Sequence, residues 1–428
     1  MTDSQPQFSW GSIVLPAYLP TLLFSLGEGA IIPVIPVVAS ERGASIALAG
    51  LVAAMLMIGE LLGDLPAGWL VARIGERNAM IGAAMLAVIG VVVALALPSV
   101  TALAIGVLLL GLATAVFGLA RHAFLTSYVP ARVRARALST LAGVFRAGWA
   151  IGPFVAAAII AWTGSSEPVF WVLVAACLAV VVVLVLLPDP ERVFGLGRGS
   201  SAAVGVSAAE APQGVFRAIV EHRGVLARVG SGIGLLAAVR ASRTIILPLW
   251  AVSIGMPPET AALVIGVSAT IDFCLFYVSG QVMDRFGRLW GAIPGLVGLS
   301  TGHLILAFTH DVPGNEAWFI AVAVLFGVAN GVSSGVILTV GADLAPKRHP
   351  AAFLGAYRTI GDAGQAAAPL VVSAVTSLVS LAAASAAIGV LGFVGAGMLL
   401  RWIPRYVPGR RGRRHGDDGT ADQAEGAG

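Results

Sequence analysis

Ten ionisable side chains lie inside long apolar stretches of this 428-residue chain: the acids Glu28, Glu60, Asp64, Asp272 and Asp362, and the bases Arg121, Arg146, Arg240, Arg243 and Arg358. A charge surrounded by hydrocarbon costs roughly 2.5 to 3.5 kcal/mol on insertion scales, so each of these groups needs a partner or a task. The two signs balance, which points to pairing in a closed interior. The chemistry open to such a set is the uptake and release of protons and of polar or charged solutes. Glu28, Glu60 and Asp272 are the candidates for proton coupling, and Glu28, Arg240, Arg243 and Asn330 those for a substrate cavity. Asp64, Arg121, Arg146, Arg358 and Asp362 are expected as buried charges or gate elements.

Spacing refines this set. Arg240 and Arg243 lie three apart and share a helix face, where they grip an anionic group or compensate nearby acids; both readings stay open. Arg358 and Asp362, four apart, are expected to form a local ion pair. Glu60 and Asp64 are also four apart, and with Gly68 marking the helix end, Glu60 lies about 12 Å deeper at 1.5 Å per residue. Its partner is expected to be Arg121 or another arginine, unless it exchanges protons itself. His303 stands alone on an apolar helix as an interior polar group. Asn330, between Ala329 and Gly331, can hydrogen-bond across closely packed helices.

The chain shows no His/Cys cluster at metal-ligand spacing and no phosphate-cradling glycine loop followed by lysine and serine. No enzymatic activity, metal or cofactor is therefore expected. The proton gradient is the expected source of energy.

The elements that must position these charges are membrane helices. Hydrophobic residues make up 58% of the chain and charged residues 11%, too few for a water-soluble surface. Segments of about 20 apolar residues fall at 12–38, 46–71, 78–97, 101–127, 135–161 and 167–187, and again at 226–253, 258–283, 289–309, 316–343, 350–378 and 380–403. The expected fold is all-α and integral to the membrane, with twelve transmembrane helices. The first apolar run, with no basic region before it and no small-residue cleavage site after it, reads as a retained span. Cys177 and Cys274 fall within predicted helices and are expected to pack.

Arginines collect in the loops on one side, from Arg73, Arg77, Arg132, Arg134 and Arg136 to Arg285, Arg288 and the tail, whereas the other side has Arg42. The positive-inside rule makes the basic side cytoplasmic and places both termini there, in a plasma (inner) membrane. The formal charge of +4 then needs no nucleic-acid partner.

A shift of 212 residues lays the first half on the second: Pro36 falls on Pro248, Gly43 on Gly255, Glu60 on Asp272, Gly68 on Gly280, Arg73 on Arg285 and Gly75 on Gly287. Further on the shift becomes 216, and Pro130, Gly148 and Pro153 meet Pro346, Gly364 and Pro369. Such duplication is the mark of a secondary transporter with its substrate path between the halves. Two pseudo-symmetric six-helix bundles are expected, at 1–187 and 226–403. A cytoplasmic linker at 188–225 joins them, ending in a short amphipathic helix near 215–229, and a disordered tail follows at 404–428. Arg410, Arg411, Arg413 and Arg414 of the tail are expected to hold anionic membrane lipid. The repeat also superposes Glu28 on Arg240 and Arg146 on Asp362. A Glu28 ion pair to Arg240 or Arg243 is one reading of the first match, and a gate or lock between halves is one reading of the second.

Gly280, Asp284, Arg285, Gly287 and Arg288 form the pattern G-x-x-x-D-R-x-G-R between the eighth and ninth spans. This loop resembles that of the major facilitator superfamily, and the resemblance runs over roughly residues 12–403. It implies alternating access by two rocking bundles, and a conformational role for the loop, whose aspartate helps latch the halves on the cytoplasmic side. Gly280 is expected to let helices approach and Asp284 to sit against the start of the fifth span. The first copy, Gly68, Arg73, Gly75 and Arg77, has Ala72 where the family has aspartate, so its latch is expected to be weaker. Gly29 to Pro36 resembles the opening helix of drug-proton antiporters such as the tetracycline exporters, and Gly148, Gly152 and Pro153 resemble their fifth-span motif. Ala156-Ala157 replaces that motif's usual diglycine, and the arginine signature early in the fourth span is missing.

This resemblance implies proton-coupled efflux of small amphipathic or drug-like molecules by a monomer, with protons, substrate and membrane lipid as partners. A proton-linked importer of a small organic anion is the alternative, favoured if Arg240 and Arg243 hold a carboxylate. A transport-dead receptor or scaffold is the remote one.

Overall fold

The structure is a computed structural model, and residues 14–187, 219–346 and 350–407 are described. Within them the chain is helical throughout, with no strand. Eleven helices are long and apolar enough to cross a membrane. The remaining helix, the eleventh span Pro350–Leu378, is of like length but carries Arg358, Asp362 and Gln365. Apart from the first and tenth spans, the observed spans are Ile46–Ile74, Glu76–Ala96, Val100–Tyr128, Ala131–Thr163, Phe170–Leu186, Ser231–Ser253, Pro258–Phe286, Arg288–Thr309, Pro350–Leu378 and Leu381–Tyr406.

The ends of these helices follow from local chemistry. Ser45, Ser99 and Ser380 accept the amide N–H of Leu48, Ala102 and Ala383 and so start the second, fourth and twelfth spans. Two of the three glycine pairs kept by the 212-residue repeat sit where the backbone turns left-handed: Gly43 and Gly255 at φ 85° and 70°, Gly75 and Gly287 at 83° and 99°. A side chain is strained in that region, which explains why both halves hold glycine there.

Two spans read as continuous are broken. The first consists of a π turn, Val14–Tyr18, then Leu19–Ile31 and Ile35–Glu41. Pro33 has no N–H to give the carbonyl four residues back, and the helix opens there. The tenth splits into Asn315–Val332 and Val336–Leu344 around Gly335, whose φ is 81°. The stretch before the seventh span is helical at Arg223–Val225 and π-helical at Leu226–Gly230, running directly into the span. The rest of the linker and the tail arginines from Arg410 lie outside the described residues.

The twelve helices form two bundles. In the first, the fourth span packs on the second and third, and the first on the fifth and sixth; in the second, the ninth packs on the tenth and twelfth, and the seventh on the eleventh. Two seams join the bundles, fifth span against eighth and second against eleventh. On the side away from the arginine-rich loops, the Ser373 hydroxyl donates to the Ala47 carbonyl at 2.8 Å, linking the eleventh span to the second. Toward the basic end, Arg358 and Asp362 have side chains 77% and 41% exposed, and Asp64 is exposed as well. Charges at membrane depth can be exposed only where water reaches them, so this conformation is open toward the basic end.

Candidate functional site

Glu28 is completely buried on the first span. The Thr114 hydroxyl of the fourth span donates to its Oε1 at 2.8 Å, and the Trp149 indole N–H of the fifth donates to its Oε2 at 2.9 Å. No ion pair reaches it among the described residues. These partners suit both protonation states of the carboxyl. The indole is a donor only and serves whichever oxygen is unprotonated, while a hydroxyl can donate to a carboxylate or turn to accept from a carboxylic acid.

The glycines of the antiporter-like stretch bring Trp149 into place. A Cβ on Gly152 would stand 2.4 Å from the Ala30 nitrogen, and one on Gly29 would stand 2.8 Å from the Trp149 Cα. The first and fifth spans therefore touch backbone to backbone beside Glu28. Gly152→Val is expected to wedge them apart, at a cost of about 1 to 3 kcal/mol for overpacking, with transport lost through displacement of Trp149. Thermal unfolding of the purified protein beside a transport assay checks it. Gly280→Ala is the contrasting case. A Cβ there meets nothing within 4 Å, so Gly280 does not mediate the close helix approach expected of it, and its alanine variant should match or exceed wild type in stability.

Arg121, on the fourth span, is buried and stacks over the Phe145 ring with 4.5 Å to the centroid. Its Nε has no hydrogen-bond partner among the described residues. Glu60 is partly buried on the second span and makes no ion pair among the described residues, so the expected pairing with Arg121 is not formed here. Arg358 and Asp362 do approach each other, Nε to Oδ2 at 3.5 Å.

A second cluster gathers on the eighth span. Arg146 Nη1 lies 3.1 Å from both oxygens of Asp272, and Arg243 Nη2 lies 3.5 Å from Oδ2. The Asn330 amide donates to Oδ2 at 2.8 Å and accepts from Arg240 Nε at 2.9 Å. Arg240 also reaches the Ser333 carbonyl at 3.4 Å, a group freed by the break in the tenth span. Two guanidiniums thus share one carboxylate, a third is linked to it through Asn330, and Arg243 Nε is a buried donor without a partner among the described residues. Asp272 thus accepts from donors on three helices, Arg146, Arg243 and Asn330.

The contact between halves differs from the expected ones. Arg146 belongs to the first bundle and Asp272 to the second, so the lock runs from fifth span to eighth. Arg146 does not pair with Asp362, nor Glu28 with Arg240 or Arg243. Under the repeat, Arg146 corresponds to Asp362 and Asp272 to Glu60. One seam therefore pairs opposite charges where the matching seam carries two acids.

His303 is buried, with its ring nitrogens 3.0 and 3.2 Å from the hydroxyls of Ser242 and Ser385, and serves to join the seventh, ninth and twelfth spans. In the loops, Arg77 donates to the carbonyls of Leu184, Val185 and Leu187 and caps the sixth span. Arg288 bridges Asp284 at 3.2 Å and Asp343 at 2.7 Å. The Asp284 side chain is 73% exposed. Arg73 and Arg285 lie over the rings of Trp69 and Phe286. Thr114, Trp149 and Ser333 escaped the sequence reading because neutral groups in apolar helices carry no signal of cost; the Trp149 indole beside Gly148 was the one available hint.

The chain and its fold match known proteins. The family model described as Major Facilitator Superfamily matches residues 18–369 and 232–422. The galactose-proton symporter of Escherichia coli K12 is 26% identical over 182 residues, 42% of this chain, and so is that of strain CFT073. The aligned stretch spans 39% of the relatives' own length. Among solved structures, a D-xylose-proton symporter superposes with a TM-score of 0.70 at 18% identity, covering 93% of this chain and 98% of its own. The xylose transporter of E. coli in an inward-open conformation gives 0.69 at 18%, covering 92% and 96%. A nucleoside transporter gives 0.71 at 13%, covering 91% and 99%.

Proposed function

The chain belongs to the major facilitator superfamily, and from that premise we propose that this secondary active transporter couples entry of a proton to entry of a small organic anion. The carrying observation is the contrast between its two buried carboxyls. Glu28 has partners suited to both protonated and ionised states, whereas Asp272 is held by donors alone. Glu28 is then the proton carrier. Asp272 belongs to the substrate side, where three arginines exceed its charge and Arg243 keeps a free donor. A solute carboxylate supplies the missing negative charge there.

The open basic end faces the cytoplasm on the arginine distribution of the loops. Alternating access then requires the Arg146–Asp272 lock to open when the molecule faces outward. A solute anion competing for Arg243 and Arg240 lowers the cost of releasing Asp272, and only such a difference in affinity between states can shift the balance. Glu60 and Asp362, the like-charged counterpart on the other seam, are secondary proton sites. Their approach is easier when one of them is neutral.

The relatives' names bear on direction. Both the galactose and the xylose proteins are named as proton symporters, which supports uptake. The efflux reading drawn from Gly29–Pro36 and Gly148–Pro153 gains nothing from these matches, and those glycines are explained by packing beside Glu28. The test is substrate counterflow in proteoliposomes with a panel of sugar acids, short carboxylates, neutral sugars and organic cations. Exchange of anions that compete with one another is expected. Exchange of neutral sugars alone would move the reading to a sugar symporter, and exchange of cations alone would overturn it.

A further inference from the structure

At the basic end of the second bundle, three arginines converge on one indole. The guanidinium carbons of Arg228, Arg401 and Arg405 lie 4.8, 5.3 and 4.9 Å from the Trp402 ring centroid. Arg228 Nη1 also donates to the Tyr406 hydroxyl at 2.8 Å. Arg228 enters from the π turn that leads into the seventh span, and the others from the last turns of the twelfth. All three arginines are exposed, while Ile403 beside Trp402 is buried against the bundle. None of the three forms an ion pair among the described residues.

Like charges crowded round one ring repel, and the ring's quadrupole attracts each of them without neutralising any. An anion at the centre removes that repulsion. Its position fixes its kind: Trp402 and Tyr406 stand at the end of a spanning helix, the level at which amphipathic aromatics meet lipid headgroups, and a phosphodiester offers the paired oxygens that guanidinium forks take. A carboxylate partner would ordinarily come from a neighbouring helix, as Asp343 does for Arg288.

We propose that Arg228, Arg401, Arg405 and Tyr406 form a binding site for the headgroup of one anionic phospholipid, seated over Trp402. The lipid braces the entry of the seventh span against the exit of the twelfth, the two ends of the bundle that rocks. The site is independent of the substrate reading and of Glu28.

Native mass spectrometry of the full chain, released from mixed micelles of phosphatidylglycerol and phosphatidylcholine, tests it. Wild type is expected to retain phosphatidylglycerol several-fold over phosphatidylcholine, and R228Q/R401Q/R405Q to lose that preference while eluting as a monodisperse species with wild-type counterflow. Trp402→Leu is the second variant, which guards against misfolding of the triple one and is expected to weaken retention with all charges kept. Unchanged preference in both variants overturns the proposal. So does loss of preference in a full-length variant with Arg410, Arg411, Arg413 and Arg414 replaced by glutamine, which would put the lipid on the tail. Complete displacement by inorganic phosphate would show a site for a soluble anion and also overturn it.

Discussion

Glu28→Gln abolishes proton-driven accumulation of substrate and leaves exchange of substrate across the membrane within a few-fold of wild type. The glutamine side chain has the shape of the protonated glutamate. Its carbonyl oxygen accepts from the Trp149 indole, which lies 2.9 Å from the native carboxyl, and its amide donates to the Thr114 hydroxyl. The variant is therefore fixed in the proton-loaded form. Steps that move loaded carrier continue, and the step that returns it with the proton released does not. Counterflow at equal pH measures the first and uptake driven by an imposed gradient the second. Thr114→Val should weaken coupling less, since Trp149 remains, while still removing the hydroxyl that adapts to either state. Accumulation that persists in Glu28→Gln would move the proton to Glu60 or Asp362.

Asp272→Ala is expected to be the most destabilising single change in the second cluster. It leaves Arg146 and Arg243 without their shared carboxylate and the Asn330 amide without its acceptor, and stranding buried charge in this way costs about 3 to 5 kcal/mol. Arg146→Met removes only the ion pair at the seam of the fifth and eighth spans. Asp272 keeps Arg243 at 3.5 Å and Asn330 at 2.8 Å, so this variant should fold and favour opening on the side away from the arginine-rich loops. With Cys177 and Cys274 replaced, a cysteine introduced at Ser373 in the seam should react faster with an impermeant thiol reagent in Arg146→Met than in its absence. Equal reactivity would mean that the ion pair does not hold the halves together.

The charges that build both clusters were legible because a charge in an apolar span is costly enough to stand out from any background. Glu28, Asp272 and the five arginines were found on that ground alone. Their partners were not. The repeat superposes Glu28 on Arg240, but superposition places each residue at the same station of its own bundle. It does not bring the two together, and Arg240 turned instead to Asn330. The Arg146 to Asp272 contact joins helices that the repeat does not match to each other, so only the packed bundles reveal it. The breaks at Pro33 and Gly335 were hidden by hydropathy, which stays high across a kink. The glycines of the fifth span show how one motif carries two meanings: Gly148 and Gly152 read as an exporter signature, yet they pack directly against Ser25, Gly29 and Ala30 and set Trp149 on Glu28.

Symport of proton and solute through a site divided between Glu28 and the arginines around Asp272 is the proposed function. It is tested most directly by adding an exchanged anion to right-side-out vesicles in lightly buffered medium while recording external pH. Alkalinisation that follows solute entry and disappears in Glu28→Gln is the predicted result. Acidification of the medium on solute entry, or entry with no proton movement in wild type, would contradict it.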